Sequence, residues 1–229
     1  MTPTRVANKK QIRLIGLARS RHLADAAARD ACNDGRMDWA SGEWFNPPPA
    51  TVRDGAALIV TAARGSDFWQ QTSYGFHRDS GHALLAPFST GHAVEVSFVV
   101  DYGSRYDQAG VLVRVNALTW VKAGVEVSDG APQLAAVVTL NGLSDWSMAP
   151  VPDWSGREVT LRASWAGDAL TLRARAIDEP WRMLRLAPFP ASASATSGPY
   201  CCAPERDGFT VRFTSWRTGD ADAALHLDG

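Results

Sequence analysis

Three side chains on one short stretch could act on a ligand together. From Trp120 to Ser128 the chain reads Trp-Val-Lys-Ala-Gly-Val-Glu-Val-Ser and alternates without a slip. Val121, Ala123, Val125 and Val127 form one set, and Trp120, Lys122, Gly124, Glu126 and Ser128 the other. Period two means a strand with one face in a core. The opposite face then carries a ring, a cation, a bare glycine and a carboxylate. Same-face neighbours on a strand stand about 7 Å apart, which puts Lys122 and Glu126 roughly 13 Å apart at Cα. Neither reaches the other easily, so each needs a cross-strand partner or a ligand. In the ligand reading Trp120 walls one end, Gly124 opens a gap the size of a sugar ring, and the charged heads supply strong hydrogen bonds. In the structural reading Lys122 meets a carboxylate, and Glu126 meets Arg114 or Arg162, as cross-strand pairs often do. The two readings carry equal weight.

Other residues extend the candidate surface. Gln108 falls on the outward parity of its strand and could serve two hydroxyls; Asp107 beside it reads as a loop residue bonding backbone. Ser144-Asp145-Trp146-Ser147 reads as a turn, with Asp145 capping its own backbone and Trp146 over the rim. Trp69, Tyr74 and Phe76 supply aromatic walls. His77 and His82 flank Asp79, a weak metal spacing, and no cofactor or metal set is read. Catalysis on a glycoside needs two carboxyl groups, about 5 Å apart in retaining enzymes and roughly 6.5–9.5 Å in inverting ones. Glu126 would need Glu95, Asp107 or Asp145 as its second. No Gly-x-Ser-x-Gly nucleophile motif occurs. Whether the chain is an enzyme stays open.

These residues must be positioned by strands. Ala57–Ala62, His92–Tyr102, Gln108–Asn116, Gln133–Leu140, Glu158–Trp165, Ala169–Ile177, Trp181–Leu186 and Gly208–Trp216 all carry strand pattern. Val94, Val96, Phe98 and Val100 share one face, and Ala109, Val111, Val113 and Val115 share another. Ser66–Phe76 is aromatic and loop-like, and Asn46-Pro47-Pro48-Pro49 forbids helix. About ten short strands with regular turns, and no βαβ alternation, read as an all-β sandwich or barrel. Residues 1–36 differ: Lys9–Arg19 and the Ala-rich Leu23–Ala31 suggest a helical or irregular extension, with the β domain spanning 37–229. Met37 is a candidate natural start. A transit peptide is the rival reading, and Asp25, Asp30 and Asp34 count against it.

The chain has 229 residues and a net charge of −1, so it can hold one large core and shows no basic patch for nucleic acid. No apolar stretch reaches membrane length and no signal core is seen, so a cytoplasmic location without membrane contact is expected. Cys32, Cys201 and Cys202 form no disulfide framework; adjacent Cys201 and Cys202 read as free thiols. Nine tryptophans are unusual, and each reads more readily as core than as stacking platform.

Several motifs in one order then carry a resemblance: Ser66-Asp67-Phe68-Trp69 with Thr72 and Tyr74-Gly75-Phe76; Tyr106-Asp107-Gln108-Ala109-Gly110; the Trp120–Glu126 strand; Val138-Thr139 with Ser144–Ser147; and Gly198–Pro204 before Gly208-Phe209. Together they resemble the DUF1349 family over about Trp39 to Trp216. The resemblance implies a concanavalin A-like lectin/glucanase jelly roll of two antiparallel sheets. It implies no settled activity; one fungal relative is linked to regulation of enolase. In that superfamily the concave sheet face is the usual carbohydrate site, which is analogy at the level of fold. The expected partner is a small polar ligand such as a carbohydrate, held by Gln108, Trp120, Lys122, Glu126, Trp146, Asp145, Trp69 and Tyr74. The alternatives are a glycoside-acting enzyme using Glu126 and a regulatory module that binds another protein.

Overall fold

Alternating valines and alanines drive this chain into strands that bury one face each, and the two resulting sheets close on one another. The computed structural model describes residues 35–226. The first sheet has seven strands in the order β1 (Glu43–Phe45), β6 (His82–Phe88), β15 (Ala195–Cys202), β8 (Gln108–Asn116), β9 (Thr119–Ser128), β10 (Ala131–Leu140) and β11 (Leu143–Pro150). The second also has seven: β14 (Arg182–Pro188), β13 (Ala169–Ala176), β12 (Glu158–Ala166), β7 (His92–Val99), β16 (Thr210–Asp220), β3 (Ala57–Thr61) and β2 (Ala50–Asp54). Neighbouring strands within both sheets are antiparallel. The result is an all-β sandwich, as the strand pattern predicts, and the jelly roll of two antiparallel sheets that the family resemblance implies. A separate hairpin, β4 (Phe68–Gln70) with β5 (His77–Asp79), forms a small third sheet.

The core lies between the sheets. Val94, Val96, Phe98 and Val100 meet Val121, Ala123 and Val125 there, all at most 1% exposed. Trp39, Trp154, Trp165 and Trp216 fill the same cluster, so the core reading of the tryptophans holds for these four. Burial of this kind stabilises by about 25 cal/mol per Å² of apolar surface and dominates folding here.

The strand pattern missed several elements. Ser144–Ser147 is not a turn but part of β11, bonded along its length to β10. Ser66–Phe76 is not all loop, since Phe68–Gln70 pairs with His77–Asp79. Strand β15 is not evident in the sequence pattern because it carries Pro199, which has no N–H to give to a ladder. Its pairing to β6 accordingly lapses between Ser197 and Tyr200.

Arg36 bridges to Arg217, and the Met37 N–H donates to the Trp216 carbonyl at 2.8 Å. The extension read over residues 1–36, with Cys32, lies outside the described residues apart from Gly35 and Arg36. Cys201 and Cys202 are free and buried. Among the described residues no helix is long and apolar enough to cross a membrane.

Candidate functional site

Register across three strands builds the floor of the site. Gln108 on β8, Glu126 on β9 and Gln133 on β10 stand in one row. Gly110, Gly124 and Ala135 form the next, then Leu112, Lys122 and Val137, then Arg114, Trp120 and Thr139. All twelve share the face turned away from the sandwich core. That face carries a second apolar cluster: Trp69 and Phe68 of the hairpin pack on Leu112, Trp120, Val137 and Tyr200.

Three sheet residues clamp the hairpin to this face. Arg114 gives two hydrogen bonds to the Asp79 carboxylate, both 2.9 Å, and lies over the Phe45 ring. Lys122 Nζ reaches Asp67 Oδ1 at 3.3 Å. Ser144 Oγ accepts from the Gln70 N–H at 2.8 Å and contacts Thr139 Oγ1 at 2.8 Å. Bidentate and charge-assisted bonds are the strong ones, so the hairpin is fixed rather than merely resting there. The chain turns between β4 and β5 through Gln71, Ser73 and Gly75, each at φ between 60° and 69°. This turn stacks Tyr74 on Phe76 and sets Tyr74 edge-on to Trp69.

Where the hairpin stops covering the sheet, a cleft of about 330 Å³ remains. Its floor is Gln108, Lys122, Glu126 and Val137, and its ring walls are Trp69, Tyr74, Phe76 and Trp146. Asp67, Arg78, Tyr106 and Glu205 complete the polar lining. Trp69 and Trp146 stand nearly perpendicular, at 88°. A pocket with ring walls and a few convergent polar groups is the usual form of a small-molecule site.

The charges on the floor are unevenly served. Lys122 is buried, yet Asp67 and Gln108 Oε1, the latter at 2.7 Å, hold it. Burial alone would lower its pKa, but the nearby acids, Asp67 first, leave it raised, so it is an ammonium. Glu126 makes no hydrogen bond to the protein comparable to these. Burial pushes its carboxyl up to about 7, against the pull of Lys122 and with the push of Asp67. Near neutrality Glu126 can therefore either donate or accept a proton.

The structure brings six of the eight sequence-predicted residues together on the cleft: Trp69, Tyr74, Gln108, Lys122, Glu126 and Trp146. It removes two. Trp120 is fully buried, with Phe68 packed on its ring at 5.9 Å, because the hairpin covers that end of the strand. Asp145 has the opposite parity to Trp146 on β11, and its carboxylate accepts from Arg185 of the second sheet at 2.6 Å. Gly124 is not an opening either. A Cβ there would come within 2.2 Å of the Ala109 carbonyl oxygen and 2.9 Å of the Tyr200 hydroxyl. The proposed Glu126 partners are engaged elsewhere: Arg114 by Asp79, Arg162 by Glu95 and Asp222. As second carboxylates, Glu95 belongs to that same Arg162 pair and Asp107 to Arg206.

Asp67, Arg78, Tyr106 and Glu205 also line the cleft, beyond the site residues that the sequence indicates. Asp67 carried a signal, since a buried lysine requires a counter-charge and Asp67 opens an aromatic motif. The other three reach the cleft from loops or the hairpin, where periodicity says nothing. His82 is structural: Nδ1 lies 2.7 Å from the Asn46 carbonyl oxygen, and Nε2 accepts from the Ala63 N–H. Among the described residues no group of acids, histidines and cysteines is placed to hold a metal.

Comparison with known proteins agrees with this architecture. The chain is 38% identical over 188 residues to "Regulation of enolase protein 1" of Saccharomyces cerevisiae, covering 82% of this chain and 94% of the yeast protein. A crystal structure of a functionally unknown protein from Saccharomyces cerevisiae superposes with a TM-score of 0.76 at 36% identity, over 82% of this chain and all of that one. A xylan beta-1,4-xylosidase from Bacillus halodurans shares the fold at 15% identity, with a TM-score of 0.62 over 82% of this chain and 39% of that one. Residues 44–221 match the family described as protein of unknown function (DUF1349), and with the yeast relative this places the chain in that family.

Proposed function

We propose that the cleft binds a small ligand rich in hydroxyl groups, most simply a carbohydrate. The observation that carries this reading is the convergence of Gln108, Lys122 and Glu126 on one floor beneath the rings of Trp69, Tyr74 and Trp146. Rings supply flat apolar area for a sugar face, and the floor supplies directional donors and acceptors. Lys122 and Gln108 are fixed by each other, so part of the ordering cost of binding is already met. The fold it shares with a xylan-acting protein is compatible with this reading and adds nothing about residues.

The test is a thermal-shift screen with neutral oligosaccharides, sugar phosphates and nucleotides, on the native protein and on Tyr74→Ala and Glu126→Gln. Tyr74 is exposed and Gln keeps the shape of Glu, so both variants should fold. A sugar-induced shift weakened by both substitutions supports the reading. A broad screen without any shift, or a shift indifferent to both, contradicts it.

A second reading is a glycoside-acting enzyme. Its specific support is that Asp67 and Glu205 line the same cleft as Glu126, whose raised pKa suits a general acid. Lys122 holds Asp67, which leaves Glu205 as the more available second carboxylate. Release of chromophore from aryl glycosides, lost in Glu126→Gln, would favour this reading over simple binding.

A further inference from the structure

One row of residues crosses the outer face of the first sheet from edge to edge: Phe45, Ala83, Tyr200, Gly110, Gly124, Ala135 and Met148. A long ligand lying across the sheet needs such a row free over its whole length. Here one half is roofed. Phe68 of the hairpin packs on Phe45, Tyr200 and Trp120, with ring centroids 6.2, 6.2 and 5.9 Å apart. In the same cluster Ala83 and Leu85 of β6, and Tyr200 and Cys202 of β15, are all buried. Within the row only Met148, on the edge strand β11, is exposed.

The direction along the strands is closed at one end as well, where Trp120 and Thr139 are fully buried. The roof is fastened there. Besides the Arg114 and Ser144 bonds, Asn46 Nδ2 donates to the carbonyls of Asp79 and Gly81 at 2.7 and 3.0 Å. Packing beneath it is tight: a Cβ on Gly81 would come within 2.2 Å of the Phe68 ring and 2.7 Å of Cys202 Sγ. Tyr106, Pro204 and Glu205 line the cleft from loops. Those loops are tied together, since Arg206 Nε donates to the buried Asp107 carboxylate at 2.7 Å and Arg105 lies 3.7 Å from Glu205. The cleft is therefore blind at the hairpin, not a groove that runs through.

We infer that the cleft takes a short free saccharide or the end of a saccharide chain, about one or two rings, and excludes the interior of a polysaccharide. This rests on the reading of the cleft as a site for a hydroxylated ligand and narrows its ligand class. At about 330 Å³ the cleft is near the lower bound of small-molecule sites, which span about 300–1,000 Å³. A terminal ring enters from the open side and stops at the hairpin. An internal ring has a neighbour on both sides, and one of them would have to occupy the space of Phe68 or Trp69. Such exclusion works by clash with fixed atoms, not by a difference in attraction.

Isothermal titration of the full chain tests this, with xylo-, cello- and malto-oligosaccharides from monosaccharide to hexasaccharide and with the parent polysaccharides. An end site offers each chain one binding register whatever its length. In any series that binds, molar affinity should level off by the disaccharide and change less than about two-fold up to the hexasaccharide, with the polysaccharide saturating at about one protein per chain. An internal site gains registers and contacts with length. Affinity still rising about ten-fold from disaccharide to hexasaccharide, or several proteins per polysaccharide chain, overturns the inference and leaves the hydroxylated-ligand reading standing. Tyr74→Ala, at an exposed position on the cleft wall, should weaken every bound member by a common factor. No effect, or an effect that grows with length, also overturns the inference. No binding by any member overturns it too, and a thermal shift with sugar phosphates would then show the broader reading standing without it.

Discussion

Glu126 is the residue on which stability and function pull in different directions. Its carboxyl is pushed from 4.5 up to about 7 because burial disfavours the charge more than Lys122 favours it. Between those two values the folded state holds a proton that the unfolded chain has released, so this group's contribution to stability is full below pH 4.5 and is lost as pH rises through about 7. The loss amounts to about 3 kcal/mol at most. Chemical denaturation of native protein and Glu126→Gln across pH 4.5 to 8 should show the variant lacking this decline and becoming the more stable of the two at the alkaline end. A variant less stable than native protein at pH 8 would mean that Glu126 is a strut in an ion network. On the opposite parity, Val125 is fully buried in the main core. Val125→Ala should cost about 1–3 kcal/mol in the same measurement, by lost burial and a residual cavity.

At the scale of elements, the β4–β5 hairpin decides what the outer sheet face can do. It converts one end of the Trp120–Ser128 face into an interior and leaves the other end as a cleft. Its clamp to β8 is the bidentate Arg114–Asp79 pair, with only 10% of the Arg114 side chain exposed. Arg114→Ala should cost about 1–3 kcal/mol and raise amide exchange over 68–79 well before the sandwich itself opens. Exchange unchanged in the hairpin would show that the Lys122 and Ser144 contacts suffice. Parity in the Trp120–Ser128 strand was fully legible in the sequence, because period two leaves only two choices and valines take the core. The hairpin was not legible. Its strands are three residues each, too short for periodicity, and so the burial of Trp120 beneath Phe68 could not be foreseen. Asp145 was misread for a related reason: Ser144–Ser147 looks like a turn, and only its pairing to β10 fixes which way each side chain faces.

For the whole molecule, Gly110 and Gly124 are among the described glycines at which the sandwich tolerates no side chain. Gly110 and Gly124 face each other across β8 and β9. A Cβ on Gly110 would lie 2.0 Å from the Ala123 carbonyl oxygen and 2.5 Å from the Gly124 Cα, backbone atoms that cannot step aside. Gly110→Ala should therefore destabilise the protein by more than about 3 kcal/mol or prevent folding, as overpacking against fixed atoms does; a melting temperature within a few degrees of native would refute that packing. The fold class was readable from strand spacing and from several motifs in one order, because a sandwich repeats its pattern at every strand. The floor and the ring walls of the site were readable, the rings from their motifs, but the polar residues Arg78, Tyr106 and Glu205 were not, because they come from loops and a short hairpin distant in sequence. The cleft between that floor and those walls is proposed to bind a hydroxylated ligand. Amide and indole chemical-shift mapping on isotope-labelled protein tests this binding, with neutral oligosaccharides and sugar phosphates added in turn. Perturbations are expected to concentrate at Gln108, Lys122, Glu126 and the hairpin turn, with the Trp146 indole N–H, which has no partner in the protein, moving with them. Perturbations confined to another surface, or none with any saccharide, would contradict it.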